Sequence, residues 1–178
     1  MGWRNHAQGY GCFARLNHWV SAVLILGLGA SGWWMVGLDY YHAWYHRAPD
    51  LHKQFGVLAL LLGVLRLLWL LFDRLPALPD SLSRGERRLA RLVHVSLYAL
   101  VLAVPVSGYL MVTAAGDPVT VLGVDLPAIA AQREGIRDAA ITVHTWGSWA
   151  LLALAAGHAL AALKHRFVDR DTVLQRML

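Results

Sequence analysis

The sequence predicts an all-α membrane protein, a bundle of four transmembrane helices. Three observations lead there. Of its 178 residues, 57% are apolar and 15% charged, and the mean hydropathy is positive, a balance too apolar for an ordinary soluble domain. Four stretches are long enough to cross ~30 Å of hydrocarbon, which takes about 20 apolar residues. The charged residues fall between these stretches, and Arg66 is the only Lys, Arg, Asp or Glu well inside one.

The first span covers about residues 16–36. Arg4 and Arg15 precede it as in a secretory leader, but bulky Trp33, Trp34 and Met35 stand where a small-residue cleavage site would lie. The apolar run is also too long for a leader, so the span is expected to be retained. The second span covers about 52–72. The third covers about 92–113, with Pro105 as an expected kink. The fourth covers about 142–163. Between the last two runs the longest connection, residues 114–141. Its Gly116-Asp117-Pro118 reads as a turn, and Ile129 to Asp138 as a short interfacial helix. The connection reads either as a lid over that end of the bundle or as a plain link. Without an internal repeat or a low-complexity tract, residues 1–178 are expected to form one domain.

Topology follows from the basic residues. Arg4 and Arg15, the five arginines between spans two and three, and Lys164, Arg166, Arg170 and Arg176 put 11 on one side. Arg47, Lys53, Arg133 and Arg137 put 4 on the other. The excess predicts both termini in the cytoplasm. The same distribution explains the net charge of +5 without nucleic acid, because the cations flank apolar runs and form no aromatic-interleaved patch. Eight tryptophans and six tyrosines fit anchoring at the lipid headgroups. Cys12 is the only cysteine, which excludes an intramolecular disulfide, a CxxC motif and a thiolate cluster.

Histidines carry the chemistry. His144 and His158 lie fourteen residues apart on span four, an advance of about 21 Å through nearly four whole turns. Both therefore project from roughly one face at two depths. His52 begins span two at the outer side, and His18 begins span one at the cytoplasmic side. The four sort into an outer pair, His52 with His144, and an inner pair, His18 with His158. A lone histidine at a helix end is commonly just an interfacial polar residue. Ionisable groups deep in a span are different, since they are costly there and mark function. Two depth-matched imidazole pairs in a helical bundle suggest two stacked haems, each held by two neutral imidazoles and without thioether links.

Supporting positions are more ambiguous. Gly56 and Gly63 on span two, and Gly147 and Gly157 on span four, remove side chains where a macrocycle would sit, or simply allow close helix packing. Arg66, fourteen residues after His52, either pairs with a haem propionate or snorkels to the headgroups. His94, on span three at the inner depth, competes with His18 and His158 as a ligand, or contacts a quinone or a propionate. His165 lies at the cytoplasmic surface, where it could protonate a quinone. No role is assigned to His6, His42 or His46.

These residues resemble the bacterial cytochrome b561 family of dihaem membrane proteins. The matching stretches are Arg15-Leu16-Asn17-His18-Trp19, Leu51-His52 with Gly56 and Arg66-Leu67, and His94 with Tyr98, Pro105 and Gly108. Further matches are Leu122-Gly123-Val124-Asp125-Leu126-Pro127, His144 through His158 to His165-Arg166-Phe167, and Leu174-Gln175-Arg176-Met177. The resemblance covers nearly the whole chain in order. It implies a multi-pass protein of the bacterial inner membrane that binds two b haems through His18, His52, His144 and His158. It also implies electron transfer to the quinone pool. Some members oxidise superoxide at the periplasmic side and reduce ubiquinone near the cytoplasmic haem, which would make this chain an oxidoreductase. One departure is electrostatic. The outer side carries six acids, Asp39, Asp50, Asp117, Asp125, Glu134 and Asp138, against its four bases, and an anion is attracted by local positive charge. The alternative reading is an electron-transfer subunit that docks a periplasmic redox enzyme or c-type cytochrome and has no catalysis of its own. A haem-free scaffold or transporter is disfavoured by the lack of a charged path along the spans.

Overall fold

A computed structural model describes residues 2–7, 9–79, 81–130 and 134–178 of the chain. Four long helices dominate it: α1 (Cys12–Met35), α2 (Arg47–Phe72), α3 (Arg84–Thr113) and α4 (Glu134–Phe167). All four are long and apolar enough to cross a membrane. They run 24, 26, 30 and 34 residues, so at 1.5 Å per residue each exceeds the hydrocarbon thickness and its ends reach the headgroups or water. This is why the helices begin before the apolar spans do. A hydrophobic count stops at the first charges, whereas helical hydrogen bonds continue through them.

The ends are set by local chemistry. At the start of α3, Ser83 Oγ accepts from Glu86 N at 3.3 Å while Glu86 Oε2 accepts from Ser83 N at 2.9 Å, a reciprocal cap that satisfies two orphan donors. Replacing Ser83 with alanine should therefore lower stability by about 1 kcal/mol. That would be read as an earlier denaturation midpoint in detergent, with helix content otherwise kept. Pro105 lies inside α3 and cannot donate to the Val101 carbonyl one turn back. Here α2 approaches closely, and a Cβ on Gly63 would meet Val101 Cγ1 at 3.0 Å.

The helices form a ring. α1 packs on α2, α2 on α3 and α3 on α4, and α4 closes back on α1 through a narrower seam. That seam depends on Gly29, whose Cβ would fall 2.8 Å from Leu152 Cδ2. Only 6% to 11% of each span's apolar stretch is buried within the chain. A helix facing a filled core buries a stripe roughly 100° wide, over a quarter of its surface. Exposed Leu16, Val23, Trp33, Leu61, Leu71 and Leu160 face outward, as lipid contact requires.

The α3–α4 connection differs from expectation. Val119–Val121 (β1) and Val124–Leu126 (β2) form an antiparallel hairpin with Val121 opposite Val124. Its two turn residues, Leu122 and Gly123, both have positive φ, 50° and 82°, as a two-residue hairpin turn requires. Glycine accepts this without strain and leucine does not, so the sequence carried only half of the usual signal. Val119 is buried against α2 and α3, Leu122 N donates to Gln54 Oε1, and Tyr109 Oη donates to Pro127 O. The hairpin thus folds over the ends of α2 and α3. Part of the interfacial helix expected over 129–138 belongs instead to a longer element. Residues 134–138 are the first turns of α4, where no proline stops the helix from propagating back from its apolar run; residues 131–133, Arg133 among them, lie outside the described residues.

At the opposite end the two termini interlock. Tyr10 N donates to Arg176 O, Arg15 Nη1 to Leu178 O and Trp19 Nε1 to Met177 O. Arg176 Nη1 reaches Ala77 O, and Asn5 N donates to Asp73 Oδ2. The molecule thus has a terminal end, with both termini, and a hairpin end.

Candidate functional site

Near the hairpin end, His52 on α2 and His144 on α4 meet across the ring, although these two helices share no packed seam among the described residues. Their ring centroids lie 6.2 Å apart at an interplanar angle of 82°. Each ring is fixed through Nδ1: His52 Nδ1 lies 3.2 Å from Ser31 Oγ, and His144 Nδ1 lies 2.9 Å from Val104 O. The Val104 carbonyl can only accept, and the Ser31 hydroxyl gives its proton to Leu28 O, so each Nδ1 donates and Nε2 is left as the free lone pair, which is how metal-bound imidazoles are usually oriented.

Two glycines make room for these rings. A Cβ on Gly32 would lie 3.2 Å from His52 Cε1, and a Cβ on Gly108 would lie 2.9 Å from His144 Cε1. Neither was singled out for this role in the sequence, yet a signal existed. Each helix repeats at fourteen residues: His18 and Gly32, His52 and Arg66, His94 and Gly108, His144 and His158. Gly32 and Gly108 therefore stand on the faces of the inner histidines at the outer depth. Of the four glycines expected beside a macrocycle, Gly56 and Gly157 have no atom within 4 Å of an added Cβ. Gly63 and Gly147 instead serve helix packing, against Val101 and against Val104.

Near the terminal end three imidazoles converge from three helices. His18 and His158 have centroids 6.2 Å apart at 69°, while His94 and His158 are 5.3 Å apart at 67°. Arg66 joins them from α2. Its Nε donates to Tyr98 Oη at 3.3 Å, and its guanidinium stacks 5.5 Å from the Tyr98 ring centre, so it points toward α3. His165 stands apart, its Nδ1 2.8 Å from Asp171 Oδ2 and 3.0 Å from Asp169 Oδ2. Lys164 also pairs with Asp169, at 2.7 Å.

The separations bear on a metal. A metal–imidazole nitrogen bond is about 2.0–2.1 Å and a ring nitrogen lies ~1.1 Å from the ring centre, so two rings on opposite sides of one iron sit roughly 6.2–6.4 Å apart. Both the outer pair and the His18–His158 pair match, whereas His94–His158 is closer. Both separations fit bis-imidazole iron, and glycines make space for the two rings of the outer pair.

A helical membrane bundle with imidazole pairs at two depths defines a class, the membrane-embedded b-type cytochromes. Residues 9–178 match the family model described as prokaryotic cytochrome b561, and the chain belongs to that family. It is 41% identical over 179 residues to cytochrome b561 homolog 2 of Escherichia coli (strain K12), an alignment covering 100% of this chain and 95% of that protein. It is 25% identical over 166 residues to cytochrome b561 homolog 1 of the same strain, covering 90% of this chain and 92% of the other. Membership makes it a membrane electron-transfer protein and implies b-type haem.

Proposed function

We propose that the chain is a two-haem b cytochrome of the bacterial inner membrane that oxidises superoxide at the periplasmic side and reduces ubiquinone at the cytoplasmic side. The observation that carries it is the pair of 6.2 Å imidazole separations, one at each depth. The whole chain acts as one domain, with both termini and the terminal end in the cytoplasm, as its 11-to-4 basic asymmetry favours. His52 and His144 hold the outer group, and His18 and His158 the inner one. Haem supplies reversible one-electron chemistry when bound. The residues fix its axial ligands, exclude water and set its surroundings. Arg66 offers a guanidinium to an inner propionate, and His94, too close to His158 for the opposite side of the same iron, makes second contacts with the propionate or the quinone.

The test is direct. The purified protein should show reduced low-spin b-haem bands at two haems per chain, and pulsed superoxide should reduce them rapidly with ubiquinone as acceptor. A colourless protein would end the reading.

A second reading, a subunit that docks a periplasmic donor, is favoured by one observation. Lys53, beside His52, pairs with Asp50 at 2.7 Å, which offsets the nearest positive charge available to attract an anion. Replacing Asp50 with asparagine should then raise the second-order rate with superoxide about two- to fivefold at low salt and steepen its salt dependence. Haem reduction that is indifferent to superoxide but rapid with a basic c-type cytochrome would instead support docking.

A further inference from the structure

The start of α3 carries more positive charge than its surroundings neutralise. Arg84, Arg87, Arg88 and Arg91 fall within two turns, with Glu86 as the single acid among them. Like charges four residues apart repel on a helix, and the positive end of the helix dipole adds to that repulsion. Glu86 gives no relief, because it is engaged with Ser83 in the cap and with Lys164 at 3.5 Å. Arg87 turns back onto the Leu82 carbonyl at 2.9 Å. The side chains of Arg84, Arg88 and Arg91 are exposed and make no hydrogen bond or ion pair among the described residues. The other described acids at this end are taken as well. Asp73 accepts from Asn5 N and Trp69 Nε1, Asp169 pairs with Lys164 and His165, and Asp171 holds His165 and Ser81. Asp80 lies outside the described residues.

The three free arginines are not scattered. Positions 84, 88 and 91 follow the i, i+4, i+7 spacing of one helix face, so a single stripe presents all three guanidiniums over an axial length of about 10 Å. Glu86 falls on the opposite face, against Lys164 of α4. Followed into the bilayer, the same stripe reaches Val95 and Val106, which are 66% and 40% exposed. In a membrane-spanning helix such side chains meet acyl chains, and the arginines beyond them meet the headgroups. The stripe thus offers a phosphate a set of guanidinium forks and offers the attached chains an apolar track. Free phosphate or a nucleic acid would use the first feature and leave the second bare.

We propose that the stripe of Arg84, Arg88 and Arg91 binds acidic phospholipid in the leaflet at the terminal end. The lipid phosphate lies on the arginines, and its acyl chains run along Val95 and Val106. The lipid supplies the negative charge that the described acids of the chain spend elsewhere. The inference needs only the membrane-spanning fold and is independent of superoxide and quinone.

The test titrates the purified full-length protein, in uncharged detergent, with phosphatidylglycerol and counts bound lipid by native mass spectrometry. A saturable adduct should form and weaken with salt. The triple variant Arg84→Gln, Arg88→Gln, Arg91→Gln should weaken it about a hundredfold, roughly fivefold for each arginine removed. The control Arg74→Gln, Arg166→Gln, Arg170→Gln removes the same charge from the same end and should change the affinity less than about twofold at physiological salt. Should the first triple variant fail to fold, Arg88→Gln alone should show the fivefold loss. Equal weakening by the two triple variants would mean a diffuse field and overturns the site. So would equal binding of phosphatidylcholine, or displacement by inorganic phosphate beyond that by sodium chloride of the same ionic strength.

Discussion

Replacing Gly108 with valine is expected to remove the outer haem almost as completely as replacing His144 itself. The first added carbon alone falls 2.9 Å from His144 Cε1 and 3.0 Å from Nδ1, distances at which something must move. The ring cannot move freely. Its Nδ1 is hydrogen-bonded to Val104 O, one turn before Gly108 on the same helix, and in the proposed site its Nε2 would face the iron. Overpacking of this kind costs about 1–3 kcal/mol, roughly 5- to 150-fold in affinity for a group that needs that ring. Gly108→Ala should show the low end and valine the high end. Gly27→Ala, with nothing within 4 Å of the added carbon, should keep both haems. The measurement is haem per chain from the reduced spectrum, which falls from two toward one. If Gly108→Val retains two low-spin haems, the outer assignment is wrong.

At the other depth, His158→Ala should remove the inner haem and leave the outer one, while His94→Ala should leave two haems per chain. Three imidazoles compete there, and distance separates them. His18 stands 6.2 Å from His158, the span of two rings across one iron, whereas His94 stands at 5.3 Å. With one of the two imidazoles gone, a bound haem would be held by the remaining one alone, so low-spin character would be lost along with affinity. Electron paramagnetic resonance of the ferric protein would resolve this. The inner low-spin signal should vanish in the His158 and His18 variants and persist, shifted, without His94. Loss of the inner signal in His94→Ala with retention in His18→Ala would transfer the ligand role to His94.

How much of this was legible in advance varies by element. The four helices were, because a span of bilayer demands about 20 apolar residues without charge and little else satisfies that demand. That His52 would meet His144 and His18 would meet His158 at two levels of the bundle was legible too, since rise per residue converts sequence distance into height. The hairpin was not: three-residue strands carry almost no periodicity, and its turn offers Leu122 where asparagine or glycine would have signalled. Gly32 and Gly108 were missed although they obey the same fourteen-residue repeat as the histidines. A glycine announces room without saying for whom. Gly63 and Gly147 drew attention and turned out to pack helix on helix.

The sequence by itself determined the class of fold, the heights of the chemistry-bearing residues and the asymmetry of charge. Each follows from a one-dimensional rule, the energy of placing charge or backbone in hydrocarbon. Only the tertiary structure decided which residues meet across the ring. It distinguished His18 from His94 by about an ångström, turned Arg66 onto Tyr98, neutralised Lys53 with Asp50 and left Asn17 Oδ1 without a partner. These depend on the rotation of each helix about its own axis and on the packing of its neighbours, and hydropathy constrains neither.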